Sequence, residues 1–282
     1  MDYGFLAIFT GLASAISYGA SDFGGGYASR RNDAFMVVLV SQSAGMALLL
    51  VIAFFLNEPL PPPTDLLAAA VAGMLGTIGL VRFYQELAGG RMSIVAPAVA
   101  VVTVAIPVLF SIFTEGMPQR NQIIGIFLAI LAIWLITRSG SDKTAVTARD
   151  MAVILVIGLM FSSFLVTIGT VSERSIVWPL VASRFASIAI ILVVLILRGR
   201  WRSSIPRGQL PMLSLIGFLD VGGSTFYALA SALGRLDIAA ILTSLYPAVT
   251  VMLARILLSE EIGCRQWLGI AIALAAIVLI TF

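Results

Sequence analysis

Ten apolar stretches follow one another along this chain, parted by short polar breaks. They cover residues 4–22, 34–56, 65–88, 94–114, 120–137, 151–170, 177–198, 209–232, 238–258 and 265–282. Each is close to the roughly 20 mostly apolar residues that an α-helix needs to cross a bilayer. The breaks carry turn chemistry. Asn57-Glu58-Pro59, with Pro61, Pro62 and Pro63 behind it, lacks the backbone donors that would sustain a helix. Ser139 to Arg149 is the most polar stretch and reads as a linker. The pattern predicts an all-α integral membrane protein with ten transmembrane helices.

The pattern is also written twice. A shift of 144 positions lays Gly90-Arg91 on Gly234-Arg235 and Ile94 on Ile238. Over Gln122–Thr137 against Gln266–Thr281, nine of sixteen residues are identical. Gln, Gly and Thr stay in register there, which apolar bias alone does not produce. Earlier segments pair more weakly, with Gly11 on Gly158 and Ser41 on Ser183. The duplication predicts a first five-helix repeat over 1–138, a linker over 139–150 and a second repeat over 151–282. Five is odd, so the second copy enters the membrane upside down. Inverted repeats of this kind build secondary transporters, which bind substrate near the midplane between the repeats.

Composition narrows the chemistry. The 282 residues are 60% hydrophobic and 11% charged with mean hydropathy +1.07, whereas soluble domains hold about 25% charged residues. There is no His, which removes His-ligated metals and His acid–base catalysis. The one cysteine, Cys264, forbids an internal disulfide, and the one lysine, Lys143, falls in the polar linker. No phosphate-binding G-x-x-x-x-G-K-[ST] loop occurs, so ATP drive within the chain is excluded, and no cofactor is expected. The net charge of +3 suits loops against anionic lipid and gives no argument for nucleic acid. Asp2 stands where a cleavable signal has a basic region, so the first apolar stretch is expected to stay. Loops after segments 1, 3, 5, 7 and 9 hold eleven Arg and Lys against three on the other side. This bias places both termini outside the cytoplasm.

Charges at membrane depth are costly and default to functional candidates. Asp220, amid Gly217, Gly222 and Gly223, is expected either to take a proton or amine or to be held by hydroxyls or an arginine. Arg82 and Glu86, four apart, either pair near the interface or line a cavity. Arg184, where the first copy has Gln42, either meets a substrate carboxylate or reaches the interface. Asp22, beside Gly24-Gly25-Gly26, reads as a residue closing the first helix or as part of a gate. Ser17, Tyr18, Tyr84, Tyr227 and Tyr246 add hydroxyl and ring surfaces for a substrate, the alternative for the tyrosines being an interfacial belt. Pro107 and Pro247, each near the centre of its segment, are candidate hinges. Thr103 and Thr243 sit four residues before them, each with a hydroxyl to help satisfy the backbone freed by proline.

The stretch ALGRLDIAAILTSLYPAVTVMLARILLSEE, Ala232 to Glu261, and SDFGGG-x-x-x-RR, Ser21 to Arg31, resemble EamA-type members of the drug/metabolite transporter superfamily. The chain is similar in particular to the aromatic amino-acid exporters among them. The resemblance implies a cavity lined by helices 1, 3, 4, 6, 8 and 9. It also implies a multi-pass secondary active transporter of the cell inner membrane, working by alternating access. The expected cargo is a small amphipathic metabolite, an amino acid or related compound, with export favoured. Alternatives are a multidrug exporter for lipophilic cations and, behind it, a channel or a membrane-embedded enzyme. The expected partners are the small-molecule substrate and membrane lipid, with the protein acting as a monomer.

Overall fold

A computed structural model describes residues 3–56, 58–114, 120–138, 147–172, 174–199, 205–233, 239, 242–259 and 263–281. Among these the regular structure is helical. The first half carries α1 (Tyr3–Ser29), α2 (Ala34–Leu56), α3 (Pro63–Ala88), α4 (Met92–Thr114) and α5 (Arg120–Arg138). The second carries α6 (Ala148–Val171), α7 (Val177–Leu197), α8 (Leu210–Leu233), α9 (Tyr246–Leu258) and α10 (Cys264–Thr281), with a 3-10 turn, Arg207–Gln209, before α8. Five spans, α2, α3, α6, α7 and the turn with α8, are long and apolar enough to cross a membrane. Large apolar side chains such as Phe9, Phe54, Phe127 and Leu197 point outward, as a lipid-facing surface requires.

Local chemistry sets the ends. Thr147 and Asp150 form a reciprocal capping box at the start of α6. Pro63 opens α3, where a missing N–H costs nothing. The start of α7 is capped from outside its own segment. The Glu58 carboxylate accepts hydrogen bonds from the Ile176 and Val177 amides and the Ser175 hydroxyl, each at 2.9 Å. An acidic group is favoured there by the exposed amides and the helix dipole.

Two segments differ from the sequence pattern. α1 continues to Ser29, past the expected end at 22, and Gly24-Gly25-Gly26 lie inside it. Those glycines take neighbours that a Cβ would displace: the Tyr84 ring over Gly25, Leu87 over Gly26 and Ile216 over Gly24. Second, 238–258 is not one bent helix. Ser244 and Leu245 form a turn, and Pro247 stands in the first turn of α9. Proline fits that position because the N–H it lacks has no helical partner there. Thr103 donates its hydroxyl to the Val99 carbonyl at 2.9 Å, while the Thr243 hydroxyl is buried without a partner. Neither arrangement repairs a proline bend. Pro107 lies in α4, its side chain outside the described residues, as are 139–146 of the linker and the repeated turn Gly234-Arg235.

The packing is reciprocal between halves. α1 lies on α8 as α6 lies on α3; α2 lies on α8 as α7 lies on α3; α4 meets α6 as α9 meets α1. α2 meets α7, and α5 meets α10. The close approaches use matched residues. A Cβ at Gly217 would overlap the Ser41 carbonyl, and one at Gly73 the Ser183 carbonyl. Likewise Gly11 faces the Leu242 side chain, and Gly158 the Val102 side chain. Small residues at such crossings bring backbones together without water to drive them.

These contacts make a stability prediction. Gly217→Ala and Gly73→Ala force the helices apart and should each destabilise by about 1–3 kcal/mol. Gly208→Ala, with open space around it, should not. Thermal unfolding of purified protein in detergent checks this; three equal midpoints would contradict the close packing.

Candidate functional site

Five side chains from four helices meet at the centre of the bundle. Arg184 on α7 sets its Nη1 2.7 Å from Asp220 Oδ2 on α8. The same Nη1 donates to Gln42 Oε1 on α2 at 2.5 Å, and Gln42 Nε2 donates to Asp220 Oδ2 at 3.3 Å. Arg184 Nη2 donates to Ser224 Oγ at 3.0 Å. Tyr18 on α1 donates to the same oxygen at 2.9 Å, and Ser224 donates onward to the Asp220 carbonyl at 3.0 Å. The hydroxyl thereby spends its one donor and both acceptor sites. The pair is 5% and 14% exposed, so its strength rests on this closure: a buried ion pair is tolerated only when surrounding hydrogen bonds complete it.

Beside this network opens a partly open cavity. Gly73, Gly76 and Thr77 of α3 form one wall, and Phe161 and Phe164 of α6 another. Tyr246 at the start of α9 and the preceding Thr243 and Ser244 close a third side. Tyr18 and Asp22 enter from α1, and Ala100 and Thr103 from α4. α2 and α7 line the cavity as well, through Gln42, Arg184 and Ser187, beyond the six helices that the resemblance implied. Three buried polar atoms around it lack a partner: Arg184 Nε, Thr243 Oγ1 and Tyr246 OH. Each can donate a hydrogen bond. Asp22 is 7% exposed and, among the described residues, has neither an ion-pair nor a hydrogen-bond partner.

The sequence candidates therefore divide. Tyr18, Asp220 and Tyr246 line the cavity, with Pro247 adjoining. Four stand elsewhere. Ser17 packs at the crossing of α1 with Gly222 of α8. Tyr84 is buried over Gly25, and Tyr227 donates to the Leu165 carbonyl at 3.1 Å. Glu86 pairs with Arg82 at 3.2 Å and Arg91 at 3.4 Å, and Arg91 continues to Asp150 at 3.2 Å. That cluster ties the α3–α4 turn to the start of α6. At the other end of α3, Asp65 holds Arg174 at 2.9 Å, near the Glu58 cap of α7. Arg184 reaches Asp220 rather than the interface. Asp22, well inside α1, does not close that helix. Gln42 was visible only as the duplicate of Arg184, and nothing in the sequence told that the two would touch.

Residues 5–138 and again 150–282 match the EamA-like transporter family. The chain belongs to that family. Its members are transporters, so this protein is a membrane transporter of small molecules. An uncharacterized protein of Methanocaldococcus jannaschii is 30% identical over 136 residues, which are 47% of this chain and 97% of that protein. A crystal structure of a protein 15% identical superposes with a TM-score of 0.63 over 98% of this chain and 94% of that one, which shows a shared fold. Among the described residues no group of acidic or cysteine side chains is placed to hold a metal ion.

Breaking the buried pair from one side leaves a charge without a counter-ion. Arg184→Met should destabilise the protein by about 3 kcal/mol, and Asp220→Leu added to it should restore much of the loss. Unfolding midpoints of the native, single and double variants check this; a single variant as stable as the native protein would contradict the assignment.

Proposed function

We propose that this protein is a secondary active transporter for a small amphipathic metabolite, an amino acid or close relative, with aromatic side chains first and export favoured. The reading takes all ten helices as membrane-crossing, in two inverted five-helix repeats over 1–138 and 151–282. The reciprocal packing of the halves and the paired family match support it. It places the protein in the cell inner membrane as a monomer, with both termini outside the cytoplasm as the loop charges favour. Transport would run by alternating access around the cavity. The Glu58 cap with Arg174–Asp65 at one end of α3, and Arg91–Glu86–Asp150 at the other, are the contacts that would open in turn. The break before Pro247 supplies a point at which α9 can move relative to the residues before it.

One observation carries the substrate class. The cavity presents unmatched donors (Tyr246 OH, Thr243 Oγ1 and Arg184 Nε) and, between apolar and aromatic walls, the carboxyl of Asp22, which has no hydrogen-bond or ion-pair partner among the described residues. Buried polar groups without partners are rare, and ligands commonly complete them. A carboxylate answers the donors and an ammonium answers Asp22; both belong to an amino acid. A second reading, a lipophilic organic cation, is favoured by Asp22 and the rings alone and leaves the donors unmatched.

Counterflow in proteoliposomes decides. A panel of radiolabelled amino acids should include at least one that accumulates against its unlabelled form, with aromatic residues leading. Exchange of tetraphenylphosphonium without any amino acid would favour the second reading. No exchange with either would contradict transport of this class.

A further inference from the structure

The acidic and basic side chains lining the cavity do not pair off. Arg184 offsets Asp220, and the Asp22 carboxyl is left without a counter-ion of its own among the described lining residues. A carboxylate withdrawn from water is unfavourable unless something cationic stands beside it. Among the described residues nothing does: the groups around Asp22 are the second acidic residue Asp220 on α8 and the tyrosines Tyr84 on α3 and Tyr246 on α9. Asp220, the stronger candidate on sequence, is the poorer cation acceptor. Its Oδ2 already receives both Arg184 and Gln42, and an incoming cation would meet the guanidinium.

We propose that Asp22 is the subsite for the ammonium group of the ligand. This deepens the amino-acid reading for the same cavity and rests on it for the ligand's chemical class. The ammonium seats against the Asp22 carboxylate and the organic part lies along the rings of Tyr18 and Tyr246, whose faces attract cations and apolar groups alike. Asp220 then acts at a distance, adding to the negative potential while it remains tied to Arg184. Specificity follows. A compound that keeps the ring and the ammonium but lacks the carboxylate retains binding. One that keeps the ring and carboxylate but lacks the ammonium loses it, because it brings no cation to the Asp22 carboxyl.

Equilibrium dialysis of purified protein with radiolabelled phenethylamine tests this, with 3-phenylpropanol as its neutral counterpart. The native protein should hold the amine and not the alcohol. Asp22→Asn, close to isosteric, should weaken amine binding by about tenfold or more, the worth of a charge-assisted contact. Asp22→Glu should recover part of it. Should Asp22→Asn fold poorly, competition on the native protein serves: L-phenylalanine should displace the amine and 3-phenylpropionate should not. Native-like amine binding by Asp22→Asn, equal binding of amine and alcohol by the native protein, or displacement by 3-phenylpropionate would each overturn the subsite. Counterflow separates the two proposals. Ammonium-selective binding without exchange would overturn transport and leave the subsite standing. Exchange without ammonium selectivity would overturn the subsite alone.

Discussion

A charge pair inside an apolar bundle must be closed on itself, and the centre of this protein is arranged around that constraint. Arg184 and Asp220 come from different helices and are completed by Gln42, Ser224 and Tyr18 from α2, α8 and α1. Removing α7 or α8 would leave a charge without its counter-ion, and removing α1 or α2 would take away hydrogen bonds that complete the pair, so the pair ties four helices to one another. It also fixes what the cavity offers. With Asp220 Oδ2 tied to Arg184 and Gln42, the groups left for a ligand include Asp22 and the unmatched donors around it.

The second constraint is reciprocity. Ser41 over Gly217 and Ser183 over Gly73 are the same contact made from opposite halves, as are Gly11 with Leu242 and Gly158 with Val102. Gln42 and Arg184 follow Ser41 and Ser183 directly in sequence, so the pair that meets across Asp220 is itself a duplicated position that has diverged into an amide and a guanidinium. The archaeal relative, matched over 97% of its length by less than half of this chain, is of the size of one half. Two such halves packed on each other meet through reciprocal helix pairs. Divergence at Arg184 and Asp220, the latter opposite Gly76 in the first half, puts an ion pair where a symmetric pair of copies would place two neutral contacts.

Hydropathy carried most of the fold in the sequence. α2 spans the same residues that the apolar run does, because its ends are set by Asp33 and by the polar break after Leu56. α1 runs further than expected because a run of three glycines looks like a helix stop, whereas here the missing side chains admit Tyr84, Leu87 and Ile216. The segment before Pro247 showed its proline but not its turn: a bend and a break have the same sequence. For the site, residue type was a better guide than residue face. Tyr18 and Tyr246 reach the cavity; Tyr84 and Tyr227, equally aromatic, are consumed by packing against Gly25 and by the Leu165 carbonyl. Arg184 and Asp220 were each visible as costly charges. That they compensate each other depends on α7 and α8 meeting around α2, a tertiary fact that no local pattern encodes.

The central claim is that this cavity opens to the two sides of the membrane in turn, and labelling from each side tests it most directly. Ala100 lines the cavity on α4, and Cys264 is an exposed cysteine that can be replaced by serine. A single cysteine at Ala100→Cys in a Cys264→Ser background would be treated with a membrane-impermeant maleimide, from the outside of oriented vesicles and separately from the inside. Alternating access predicts labelling from both sides, with ligand slowing each. Labelling from one side alone, whatever the ligand, would show a pocket that never changes sides and would contradict the account.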